Sequence, residues 1–195
     1  MRSLNRCHHR LPARRAPRWT RGLAGAGLLF ALVLVWRWHY ALVLTVGPSM
    51  RPTLASGELL LVDKRAYLRQ PPRRGDIVVA RYGNEYITKR IVGLPGERVE
   101  LLDGQLWVDG ALLPAAHDLT PGPLTIAPGT LGPERYALVG DNRRLPTDQS
   151  VHAVVGRDQL LGRVIASWRP GGPPTAFTSG PDPTGSWTLV RCKRL

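Results

Sequence analysis

The punctuation of the chain constrains its fold more than any other feature. Beyond the first forty residues it is a series of runs of four to eight residues, rich in β-branched and aromatic types and each cut short by Gly, Pro or Asp. No stretch there sustains a helical period, so these runs are expected to be strands. They cover residues 40–46, 58–63, 76–81, 86–93, 98–102, 105–108, 136–139, 162–168 and 187–192. The fold class is therefore mostly β. Asp103-Gly104 and Asp109-Gly110 are turn pairs that tolerate positive φ, and the first closes a hairpin between residues 98–102 and 105–108. Residues 113–133, rich in Pro and Gly, are expected to form a surface excursion rather than core. Residues 169–185, nine of seventeen Pro or Gly, are expected to be a mobile loop leading to a last strand.

The first forty residues obey a different rule. They carry eight arginines and no acid, so +8 of the net charge of +13 sits there and the remaining 155 residues are only mildly basic. Residues 22–36 then hold no charge at all. A bilayer core takes about 20 apolar helical residues, and a tilted helix extended past Arg37, with Trp19, Trp36, Trp38 and Tyr40 at the interfaces, approaches that length. The expected organisation is a basic cytoplasmic tail (1–21), a transmembrane anchor (22–39), an extracytoplasmic β domain (40–168) and a Pro/Gly-rich loop with a C-terminal strand (169–195). A cleavable secretory signal is disfavoured because Arg37-Trp38-His39-Tyr40 offers no small-residue cleavage site. A nucleic-acid arm has no use for fifteen uninterrupted uncharged residues. The lipid bilayer is thus the expected partner, with no nucleic acid. Cys7 and Cys192 fall on opposite sides of that membrane and cannot pair within one chain. No Cys/His spacing suggests zinc, and no metal or cofactor is expected.

Chemistry enters through lysine usage. Of 27 basic residues only Lys64, Lys89 and Lys193 are lysines, and of the two basic types lysine alone can lose its proton at accessible pH. Lys64 and Lys193 have polar neighbours. Lys89 lies in Tyr86-Ile87-Thr88-Lys89-Arg90-Ile91-Val92, where alternation puts it on one face with Ile87 and Ile91 and turns Arg90 to the other. Burial on an apolar face disfavours the ammonium form and makes an amine available as a base. The plainer alternative is a lysine snorkelling from a sheet edge. Likewise Ser49, in Gly47-Pro48-Ser49-Met50-Arg51-Pro52-Thr53-Leu54, is taken alone a turn serine. At a strand end it can also present its hydroxyl and a backbone N–H in one direction.

Four segments in order decide between these alternatives: the serine segment, Arg74-Gly75-Asp76-Ile77-Val78-Val79, Lys89-Arg90-Ile91-Val92-Gly93-Leu94-Pro95-Gly96-Glu97, and Gly140-Asp141-Asn142-Arg143. Together they resemble the boxes of the bacterial type I signal peptidases, from about residue 46 to residue 168. The resemblance implies a β fold of coiled antiparallel sheets with one N-terminal transmembrane helix. It implies a membrane-bound serine endopeptidase with Ser49 as nucleophile and Lys89 as general base. The Ser49 backbone N–H, with help around Gly47, would hold the oxyanion, and Met50 would pack beside the dyad and the substrate surface. Arg90, Gly140, Asp141, Asn142 and Asp148 would be structural, bracing the loop near the lysine. The implied partners are exported preproteins with small residues at the first and third positions before the cleaved bond. The implied location is the bacterial cytoplasmic membrane, single-pass, with the N-terminus inside.

The fourth box departs from the family. Where relatives carry a serine that hydrogen-bonds the lysine, followed by Asp-Ser-Arg, this chain has Pro146 and Asp148-Gln149-Ser150. Lys89 is expected to be oriented by another group, Thr147 for instance, or by packing alone. These departures and the shortness of the 113–133 excursion keep in view a specialised maturation protease for one or a few exported precursors. A non-catalytic membrane-anchored β domain is a further alternative, set against the presence of both Ser49 and Lys89. The apolar and expected-exposed Met50 and Leu54 are either lipid-facing or core.

Overall fold

A computed structural model describes residues 18–114, 122–145 and 152–177, in two units that divide after Arg37. The first unit is helical: α1 runs Arg18–His39. Along it Leu28, Phe30, Leu32 and Val35 are exposed. The anchor expected over residues 22–39 falls within this helix. A helix forms, yet among the described residues no helix is long and apolar enough to cross a membrane.

The second unit is built on two antiparallel sheets. In chain order the strands are β1 (Tyr40–Leu44), β2 (Leu59–Asp63), β3 (Ile77–Tyr82), β4 (Glu85–Gly93), β5 (Arg98–Leu102), β6 (Gln105–Val108), β7 (Ala111–Leu112), β8 (Ile126–Thr130), β9 (Arg135–Val139), β10 (Ala153–Gly156), β11 (Leu160–Trp168) and β12 (Thr175–Ala176). A short helix α2 (Ala66–Arg69) follows β2. The larger sheet has the order β1-β2-β11-β3-β4-β9-β10, with β12 added to β11, and the smaller has the order β7-β6-β5-β8. The two Asp-Gly pairs close tight hairpins between β5 and β6 and between β6 and β7. All four of their residues have positive φ, the geometry whose twist matches that of the flanking strands.

Strand β4 leads from one sheet towards the other, and Gly93 makes that path possible. A Cβ at this position would lie 2.5 Å from Val99 Cγ2, so only glycine lets the chain pass there. The core cluster around it draws Val92 and Val139 from the large sheet and Leu101, Leu106 and Val108 from the small one. Leu124 and Leu131 complete it, both buried.

Two expectations about loops are therefore overturned. Residues 113–133 are not merely a surface excursion, because β8 pairs with β5 and Leu124 and Leu131 fill the inter-sheet core. Apolar side chains among prolines and glycines still gain roughly 1.5–3 kcal/mol each on burial. Residues 169–177 are likewise tied down, with β12 on β11 and Phe177 packed against a core cluster. The strand expected at residues 187–192 lies outside the described residues, as do Cys7 and Cys192.

Candidate active site

Strand β4 carries Lys89 directly opposite Val78 of β3, so their side chains share a face with Ile87 and Ile91. That face belongs to a cluster containing Val78, Ala80, Ile91 and Leu138, and it leaves Lys89 only 4% exposed. Its Nζ lies 2.6 Å from Ser49 Oγ, at hydrogen-bond distance. Desolvation pushes the Lys89 ammonium down from 10.5 to about 8, with the negative charge of Asp141 opposing the shift. About a tenth of the amine is therefore neutral at pH 7, facing a hydroxyl whose proton it can accept.

Ser49 sits in a loop between β1 and β2, and that loop is pinned from two directions. On one side is the 140–142 segment. Asn142 donates its backbone N–H to Ser49 O at 3.0 Å and its Nδ2 to Pro48 O at 3.2 Å. Gly140 must be glycine for this approach, since a Cβ there would stand 2.4 Å from Ser49 O. Asp141, 1% exposed, receives Arg90 Nε on Oδ1 at 2.8 Å and Arg90 Nη2 on Oδ2 at 2.6 Å, while Thr53 Oγ1 donates to Oδ2 at 2.5 Å. Arg90 also donates Nη1 to Gly75 O at 2.9 Å. The bidentate pair so formed joins the strand of the lysine, the loop of the serine and the 140–142 segment at one carboxylate.

On the other side is a buried polar knot at the base of the loop. Thr45 N–H donates to Glu58 O while Glu58 N–H donates to the side-chain Oγ1 of Thr45, and Gly57 N–H reaches Thr45 O. Thr45 Oγ1 donates to Ala55 O at 2.6 Å, and Glu58 Oε1 accepts from Ala55 N–H at 3.0 Å. Between these ends, Met50 and Leu54 anchor the loop in a core cluster with Leu60, Val62 and Val79. Met50 is 4% and Leu54 1% exposed, so of the two settings open to them the core holds, and neither faces lipid.

The expected site residues fall as follows. Ser49, Lys89, Arg90, Gly140, Asp141 and Asn142 converge. Their bracing acts chiefly on the serine's loop, and reaches Lys89 through the charge of Asp141. Gly47 adopts φ +94° and its N–H donates to Ser56 Oγ at 3.2 Å, so that amide is engaged within the loop. Asp148, with Pro146, Thr147, Gln149 and Ser150, lies outside the described residues. Sequence reasoning missed Thr45, Thr53 and Glu58. Of these, Glu58 left a trace, as an acid opening the otherwise apolar run Leu59-Leu60-Leu61-Val62. Among the described residues no cluster of three or more His, Cys, Asp or Glu could hold a metal.

This geometry has known counterparts. The family model described as signal peptidase, peptidase S26, matches residues 18–169, most of the chain. The chain belongs to that family. Among its relatives in the signal peptidase family, it is 32% identical over 130 residues to a probable signal peptidase I-2 of Synechocystis sp.. It is 32% identical over 132 residues to the signal peptidase I of Leptolyngbya laminosa. The first alignment covers 63% of this chain and 60% of the relative, the second 63% and 65%. A third relative, the signal peptidase I of Bacillus caldolyticus, is 34% identical over 139 residues, covering 60% of this chain and 73% of its own length. The chain thus spans less than two thirds of the first two relatives.

Proposed function

We propose that this chain is a membrane-associated serine endopeptidase that removes N-terminal signal peptides from exported preproteins. Ser49 attacks the scissile carbonyl while neutral Lys89 takes its proton. The resulting oxyanion is met by the Ser49 backbone N–H, and the protonated lysine delivers its proton to the leaving amine. Lys89 then deprotonates the water that releases the acyl group from Ser49. The observation that carries this reading is the 2.6 Å approach of a buried lysine amine to a serine hydroxyl.

Substrates are extended segments with small residues at the first and third positions before the bond, laid as an added strand beside the site. In a purified assay on such a preprotein, Ser49→Ala and Lys89→Ala abolish cleavage. Lys89→Arg does too, because guanidinium stays charged at every accessible pH. Turnover by the Lys89→Arg variant refutes the proposed base. The departures at Pro146 and Ser150 support a second reading, a maturation protease for one or a few precursors. Replacement of a host's essential signal peptidase by this gene discriminates, since a specialised enzyme fails to sustain growth.

The enzyme works at the bacterial cytoplasmic membrane, with the β unit on the outer side where cleavage points emerge. The exposed apolar residues of α1 behind an arginine-rich start support this placement. Flotation of the full chain with anionic vesicles, and protection of the β unit from protease added on the cytoplasmic side, are the expected results.

A further inference from the structure

The residues just beyond β11 return to the base of the serine's loop, and two unrelated contacts bring them there. Arg169, one residue past β11, donates Nε to Glu58 Oε1 at 2.9 Å and Nη2 to the same oxygen at 2.5 Å. Register explains the meeting, because Trp168 pairs with Leu59, so the next residue outward on β11 lies by Glu58. The chain then folds back as β12, and Phe177 packs on the cluster that holds Met50 and Leu54 while its N–H donates to Ile165 O. The family match ends at residue 169, so the β12 return belongs to the part of the chain beyond it.

The charge distribution shows what Arg169 does. The Glu58 side chain is 4% exposed and, among the described residues, Arg169 is the cation paired with it. A buried carboxylate without a cation is costly and tends to reach for water. Glu58 cannot do so without releasing Ala55 N–H and disturbing its exchange with Thr45. Those hydrogen bonds close the 46–57 loop that presents Ser49.

We infer that Arg169 is a positioning residue for the nucleophile: by neutralising Glu58 it holds the serine's loop closed, so the segment after β11 is part of the catalytic scaffold. This rests on the proposed Ser49–Lys89 reading for its kinetic consequence, but not for its structural one. The charge argument also defines a rescue. Glu58→Gln keeps an oxygen for Ala55 N–H and carries no charge, so it has no need of Arg169.

The test compares the full chain in detergent with Arg169→Ala, Arg169→Lys, Glu58→Gln and the Arg169→Ala/Glu58→Gln pair. It uses a synthetic peptide with alanine at the first and third positions before the bond, together with amide exchange. Arg169→Ala is expected to lower kcat about tenfold with KM within twofold, a size set by displacement of a nucleophile rather than loss of binding. It also speeds exchange of the Thr45, Gly57 and Glu58 amides. In the Glu58→Gln background the same change costs less than twofold, and Arg169→Lys is intermediate. The inference is overturned if exchange at those three amides is unchanged in Arg169→Ala, or if the kcat loss is equal in both backgrounds. Should the unaltered chain leave the peptide intact, the functional reading fails and the exchange arm alone decides the inference. If Arg169→Ala does not fold, the comparison of Arg169→Lys in the two backgrounds decides it.

Discussion

The pH dependence of turnover follows from the environment of Lys89 with a definite sign and size. With its ionisation near 8, about 9% of the amine is neutral at pH 7 and about 91% at pH 9. If the neutral amine is the base, kcat/KM rises about tenfold across that interval, with a midpoint near 8. An unburied lysine at 10.5 would be only about 0.03% neutral at pH 7, so burial enriches the reactive form roughly 300-fold. Asp141 supplies an internal control, since its charge opposes the shift. Asp141→Asn moves the midpoint below that of the unaltered chain even as it lowers the maximum through the loosened loop. The assay is steady-state cleavage of a small-residue peptide in buffers of constant ionic strength from pH 6 to 10. A flat profile, or a midpoint near 10.5, refutes the argument that desolvation prepares the base. A midpoint that rises in Asp141→Asn refutes the assigned electrostatics.

The remaining predictions concern stability and packing. Because the folded state holds Lys89 near 8 and the unfolded chain near 10.5, unfolded protein binds more protons between these values, so stability falls as pH drops from 10.5 to 8 and stays low below it. Lys89→Met removes that penalty, and the inactive variant should be more stable than the parent at pH 7 by up to about 3 kcal/mol in urea unfolding, the difference vanishing near pH 10.5. Gly140→Ala forces a methyl against Ser49 O, so peptide cleavage should drop at least about 100-fold while circular dichroism keeps its β signature. Leu54→Ala empties a buried site behind the serine's loop and should cost about 2–5 kcal/mol by urea unfolding.

Local rules made much of the fold legible. Eight of the nine expected runs coincide with strands to within two residues at each end, and Asp103-Gly104 forms the turn its chemistry requires. Beyond β7 and β10, which were not expected either, two missed strands share a cause. Ile126–Thr130 holds Pro128 and Gly129, and Thr175–Ala176 follows two prolines, so composition argued against pairing that partners in β5 and β11 nevertheless impose. Neighbours distant in sequence, not local preference, decide such segments. Helix α1 follows local preference instead, since the uncharged run of residues 22–36 lies wholly inside it.

The site divides along the same line. Lys89 was legible because alternation and burial are properties of its own strand, and those two facts already imply a depressed ionisation. The bracing residues Arg90 and Asp141 were legible only through the family boxes and Thr53 not at all, because the three come from separate segments and meet only when β4 and β9 are adjacent. Glu58 and Arg169 stand 111 residues apart and are joined by the pairing of β2 with β11. The proposed dyad, acting through one 2.6 Å contact, needs the serine's loop and the lysine's strand fixed to a fraction of an ångström, and long-range pairing of rigid strands provides that precision. The chemistry is thus local in sequence and its accuracy is not, which is why substitutions at Gly140 or Arg169 should reach the reaction without touching the lysine.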